Sequence, residues 1–91
     1  MELPREFKLA QNYPNPFNPL TVIKYELPVD SHVSLKVYDI LGREVMNLVD
    51  ASMEAGYHQV TLDASNLASG VYLYRVTAGS FTDVKKLLVV K

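Results

Sequence analysis

Short runs in which apolar and polar side chains alternate one by one constrain this chain more than any other feature. Strands send successive side chains to opposite faces, whereas helices align residues three or four apart. Thr21, Ile23, Tyr25 and Leu27 share one phase against Val22, Lys24 and Glu26, and Val33, Leu35 and Val37 alternate as cleanly across residues 33–39. His58, Val60 and Leu62 oppose Gln59, Thr61 and Asp63, while residues 71–78 carry the strongest β-propensity of the chain. Residues 81–91 form a last strand, blurred in phase around Lys85 and Lys86, where a bulge is expected. The run 44–49 is apolar without clean alternation and reads as a strand, since a helix between Gly42 and Asp50 would be short. Residues 51–56 read as a loop or one helical turn ended by Gly56.

Turn residues separate these runs at intervals of roughly 8–12 positions, the rhythm of a two-sheet antiparallel sandwich. Residues 40–43 make a tight connection in which Gly42 supplies positive φ, and residues 63–70 cross between sheets through Asx-type turns. Tyr72 follows that Leu-containing crossover and stands two residues before another inward aromatic, Tyr74. This is the placement of a tyrosine corner, whose phenol ties the crossover to the strand start. The fold class expected is therefore all-β, an immunoglobulin-like antiparallel β-sandwich of about seven strands.

Four of the five prolines lie in residues 1–20, three of them at Pro14, Pro16 and Pro19. Each removes a backbone donor and pushes its predecessor toward extended conformations. The stretch reads as a stiff arm with Phe7, Leu9 and Phe17 as anchors, packed along an edge strand that it blunts. Residues 1–6 read as a linker or leader and residues 7–91 as the domain.

With 91 residues and 48% hydrophobic content, the chain makes one folded domain with no room for a second. A formal net charge of −1 lacks the clustered cations that a phosphate backbone selects, so nucleic acid is not an expected partner. There is no Cys, which removes disulfides and thiolate chemistry. The longest apolar run is residues 87–90, far short of the roughly 20 residues of a membrane span, so membrane insertion is not expected. The N-terminus has acidic residues and no apolar stretch behind it, so any export signal is expected outside these residues.

Catalytic arrangements are missing. Asp30, Asp39, Asp50, Asp63 and Asp83 fall one to each turn region and read as turn and cap acceptors. His32 and His58 stand in no metal-ligand spacing, and His58 is placed at a strand rim. Nucleophile and phosphate-loop motifs are absent. The chain reads as a non-enzyme with no catalytic, cofactor or metal site. Tyr25, Tyr72 and Tyr74 fall on core phases, whereas Tyr38 and Tyr57 are expected to be exposed. At the C-terminus Lys85 and Lys86 precede four apolar residues and Lys91, a strand held by its apolar side chains. Its lysines serve equally as solubilising edge charges or as recognition groups.

Five segments together carry a family resemblance: residues 7–19 (FKLAQNYPNPFNP), 37–45 (VYDILGREV), 55–58 (AGYH), 67–75 (LASGVYLYR) and 85–91 (KKLLVVK). In this order the chain resembles the type A C-terminal sorting domain of the type IX (Por) secretion system of the Bacteroidetes–Chlorobi group. One departure is Leu62, where the family frequently has Trp; a Leu still fills the core. The resemblance implies a module at the end of a larger cargo that enters the periplasm by its own signal peptide. Outer-membrane translocon proteins then recognise the folded domain, which is often cleaved as cargo is released or attached to the cell surface. Carried over to this chain, the recognition residues are Gly70 and Tyr72 of a Gly-x-Tyr motif, with Lys85, Lys86, Leu87, Val89 and Lys91 of the terminal strand. Edge docking of that strand onto a partner would supply main-chain hydrogen bonds.

Two other readings stand beside this one. A structural spacer or adhesion module similar to fibronectin-like domains would act by fold alone. An accessory carbohydrate-binding domain would need Tyr38 or Tyr57 in an open groove.

Overall fold

The computed structural model describes residues 2–91, and the leader reading at Met1 lies outside them. Seven strands follow in order: β1 (Lys8–Leu9), β2 (Leu20–Leu27), β3 (Ser31–Tyr38), β4 (Glu44–Met53), β5 (Gly56–Asp63), β6 (Gly70–Ala78) and β7 (Phe81–Val89). They form two antiparallel sheets, ordered β1-β2-β5 and β4-β3-β6-β7. This is the immunoglobulin-like sandwich that the alternation predicts, with the fourth strand placed on the larger sheet.

The period-two phases decide the core. Thr21, Ile23, Tyr25 and Leu27 of β2 and Leu62 of β5 face Val33, Leu35 and Val37 of β3 and Tyr72, Tyr74, Val76 and Ala78 of β6, all buried. Leu87 and Val89 of β7 complete this layer. Full burial of each large aliphatic chain contributes about 1.5–3 kcal/mol before entropy is counted. The two sheets thus hold each other without Cys.

Two expectations need correction. β4 continues through Met53, so residues 51–53 are strand, where a loop or helical turn was the reading. The bulges lie on β4 and not near Lys85 and Lys86. Register against β3 shifts between Leu35 and Lys36 and again between Val37 and Tyr38, which leaves Leu48 and Val45 without partners. Each extra residue reverses the phase that follows, so β4 shows no clean alternation. The β6–β7 ladder, by contrast, runs unbroken from Gly70↔Val89 to Ala78↔Phe81.

The Pro-rich arm joins both sheets. The Ala10 amide donates to Lys24 O at 2.9 Å, and Tyr13 pairs in both directions with Val22 of β2 at 3.0 Å. Beyond Tyr13 the arm crosses to the other sheet, where the Phe17 amide donates to Leu88 O at 3.1 Å and the Val90 amide to Phe17 O at 3.0 Å. Phe17 is buried in the core, and Phe7 stacks on Phe81 with ring centroids 5.2 Å apart. The arm therefore blunts the β7 edge, as its proline content suggests.

Candidate functional site

Six of the seven residues singled out in the sequence lie on the β6–β7 pair, and Lys91 follows two residues beyond the end of β7. Gly70 lies opposite Val89, Tyr72 opposite Leu87, and Tyr74 opposite Lys85. Gly70 opens β6 at φ 149°, a conformation that residues with a Cβ rarely adopt, although a Cβ there would meet no neighbouring atom. Its requirement is one of backbone. Two residues on, Tyr72 donates its hydroxyl to Ala68 O at 2.7 Å, which makes the tyrosine corner and fixes the crossover.

Leu87 and Val89 are fully buried against that corner, so no partner can read them while the strand stays packed. Lys85 is half-buried and Lys86 exposed. Lys91 turns back onto the crossover: its amide donates to Ser69 Oγ at 3.0 Å and its ammonium to Ser65 O at 2.8 Å. That crossover is itself held by Asp63, whose carboxylate accepts from the Ser65 hydroxyl at 2.5 Å and the Ser65 amide at 2.9 Å. The Ser65 hydroxyl first and its amide second hold Asp63 below the usual carboxylate range, and the Lys91 charge adds to this. Gly70, Tyr72, Leu87 and Val89 thus build the surface, and Lys86 and Lys91 stand on it.

Sequence reasoning missed the residues that lock the arm to β7. Gln11 Nε2 donates to Lys86 O at 2.7 Å, and the Leu88 amide donates to Asn15 Oδ1 at 3.0 Å. With the Phe17 bonds, these engage the outward-pointing carbonyls of Lys86 and Leu88 and the amides of Leu88 and Val90. Edge docking by this stretch of the strand therefore requires the arm to leave. Buried Asn12 donates from Nδ2 to Thr21 Oγ1 at 3.0 Å and to Pro14 O at 3.1 Å, and Thr21 Oγ1 donates to Pro14 O at 2.7 Å. Behind them, Tyr74 donates to Ala10 O at 2.7 Å and accepts from the Asn12 amide at 2.8 Å. Burial pushes the Tyr74 phenol up to about 12. The polar letters of the Gln-Asn-Tyr-Pro-Asn-Pro stretch were its signal: each short amide there satisfies a backbone group that proline or the strand edge leaves open.

Elsewhere the titratable groups are dispersed. Asp39 closes the β3–β4 turn by accepting from the Leu41 amide at 2.9 Å and the Arg43 amide at 3.0 Å, while Gly42 takes φ 84°. The Arg43 amide is the chief reason that Asp39 lies below the ordinary carboxylate range. Asp30 and Asp83 likewise accept from backbone amides, at Ala55 and Val84. Asp50 pairs with His32 at 2.8 Å, and His58 sits half-buried at a rim, stacked on Tyr25 and bonded to Glu54 O at 2.7 Å. Among the described residues no three His, Asp or Glu side chains cluster as metal ligands would. Tyr57 is 63% exposed on the smaller sheet, whereas Tyr38 is half-buried on the other sheet, against Arg75. The two tyrosines that were expected to be exposed share no groove. What this arrangement offers chemically is a surface for binding, and the His32–Asp50 pair stands exposed on β3 and β4, away from the β6–β7 pair.

Residues 11–91 match the family model described as the secretion system C-terminal sorting domain. No curated protein matches the chain.

Proposed function

The chain belongs to the secretion system C-terminal sorting domain family, and we propose on that footing that it directs a larger cargo through the type IX secretion system and across the outer membrane. Residues 7–91 act as the sorting module, residues 1–6 as the link to a cargo domain on the N-terminal side. The cargo passes through the periplasm and ends at the cell surface or in the medium. Outer-membrane translocon proteins are the partners that read the folded domain. The module takes no part in catalysis.

The observation that carries this reading is the family match, which runs from residue 11 within the arm through the tyrosine corner to the terminal strand. The packing adds a physical reason for recognition in the folded state. Arm, crossover and β7 are tied to one another at the same end of the sandwich, so the signal is a surface assembled by folding. Gly70, Tyr72, Leu87 and Val89 serve it as positioning residues, and Lys85, Lys86 and Lys91 supply its charge.

A reporter carrying an N-terminal signal peptide tests the proposal when residues 7–91 are fused to its C-terminus in a host with the machinery. Reporter should appear outside the cells with the domain and stay in the periplasm without it. Equal distributions with and without the domain would overturn the reading. Deleting residues 85–91 is a poorer test, because it also strips Leu87 and Val89 from the core. Lys86→Glu combined with Lys91→Glu alters the surface and leaves that core intact.

A further inference from the structure

The solvent face of the β6–β7 pair departs from the pattern of an antiparallel sheet, whose outer face is ordinarily polar. Val71, Leu73, Val84 and Leu88 are 39%, 38%, 47% and 36% exposed there. Val71 lies directly opposite Leu88, so their side chains form a continuous cross-strand pair on the water side. The outward positions of β5, in comparison, are Tyr57, Gln59, Thr61 and Asp63. An apolar cluster confined to two neighbouring strands marks a contact surface.

Its charge is as one-sided as its polarity. Arg75 lies opposite Val84 and Lys86 opposite Leu73. Neither cation has a carboxylate partner: the ion pairs among the described residues are His32–Asp50, Lys36–Glu44 and Arg43–Asp39. β6 contains no acidic residue, and the one in β7, Asp83, lies on the opposite phase. Arg75 is already fixed in place, donating to the Tyr38 hydroxyl at 2.8 Å with its guanidinium carbon 4.9 Å from the Tyr38 ring centroid. A shallow groove of about 210 Å³ runs between them.

Resting on the sorting function argued above, we propose that this face is the docking surface of the domain, and that its occupant is a protein of the secretion machinery presenting an apolar surface with carboxylates. Charge complementarity selects that occupant. A second copy of this chain would bring Arg75 and Lys86 against the same cations, which disfavours a two-fold pairing through this face. A lipid surface is read by clusters of roughly four to eight cations, more than this face offers.

The test compares the unaltered reporter fusion with one carrying Arg75→Glu, Lys86→Glu, Val71→Thr and Leu88→Thr, in a host with the machinery. All four changes lie on the outer face, and a thermal melt of the purified domain establishes that it still folds. If the fourfold variant does not fold, Arg75→Glu with Lys86→Glu alone takes its place. The expected result is export reduced about tenfold or more, as the loss of interface anchors would cause. A photo-crosslinking amino acid at position 88 should capture an identified outer-membrane secretion protein, and one at position 59 on the opposite sheet should not. A folded variant exported as well as the unaltered domain would overturn the inference while the sorting function stands. Crosslinks from position 88 only to a second copy or to lipid would also overturn it. Failure of the unaltered fusion to leave the cell would instead refute the sorting function itself.

Discussion

Removing one oxygen atom, by Tyr74→Phe, probes how firmly the Pro-rich arm is built into the sandwich. Tyr74 is fully buried, and its ring stays in place after the change, so the apolar packing of β6 is preserved. What is lost is a hydroxyl that donates to Ala10 O and accepts from the amide of Asn12, itself 2% exposed. Leaving the Asn12 amide unpaired costs about 1–3 kcal/mol, and the bond to Ala10, which is half-buried and can recruit water, about 0.5–1.5 kcal/mol more. A combined loss of about 1.5–4.5 kcal/mol lowers the melting temperature by at least about 6 °C in a domain of this size. Alkaline unfolding gives a second signature. Burial raises the folded phenol from 10.0 to about 12, so folding favours the protonated form. That contribution is complete below pH 10 and is lost as pH rises through about 12, a span worth roughly 2–3 kcal/mol. Urea unfolding of both proteins at several pH values between about 9 and 12 reads the difference, because the Phe variant lacks this phenol. Burial also raises Tyr25, but that group is common to both chains and cancels. A variant as stable as the parent at neutral pH, or one with the same alkaline loss, would refute the arm-locking role of Tyr74.

Three further substitutions separate the parts of the β6–β7 surface. Tyr72→Phe removes the single bond to Ala68 O at the rim and should cost about 1 kcal/mol, clearly less than Tyr74→Phe in the same melts. Gly70→Ala meets no steric neighbour, so the expected loss of about 1–3 kcal/mol in urea unfolding reports backbone strain alone. Leu87→Ala should lose about 2–5 kcal/mol as a core cavity, whereas Lys86→Ala next to it should stay within about 0.5 kcal/mol of the parent by the same measurement.

Most strands of the fold are legible because one face of each is buried, which writes a period of two into the sequence. β2, β3 and β6 show it plainly: Ile23, Leu35 and Tyr74 each sit where their phase puts them. β4 hid its extent because bulges at Val45 and Leu48 reset its phase and its edge position leaves both faces partly open. In β7 the blurred phase has a different cause. Val84 and Leu88 point to solvent, so apolar residues occupy both faces without any bulge. The tyrosine corner was readable since Tyr72 and Ala68 are four residues apart. Tyr74 and Ala10 are separated by 64 residues, Gln11 and Lys86 by 75, and no local pattern encodes such pairings. Leu87 and Val89, which the family resemblance marks for recognition, are buried as the apolar run at residues 87–90 leads one to expect.

The central claim, that this domain is an export signal read by the type IX machinery, is tested most directly by a paired fractionation. A signal-peptide reporter ending in residues 7–91 is expressed in a host with an intact secretion channel and in the same host with the channel inactivated. Reporter should reach the cell surface or the medium in the first strain and stay in the periplasm of the second. The same distribution in both strains would contradict it.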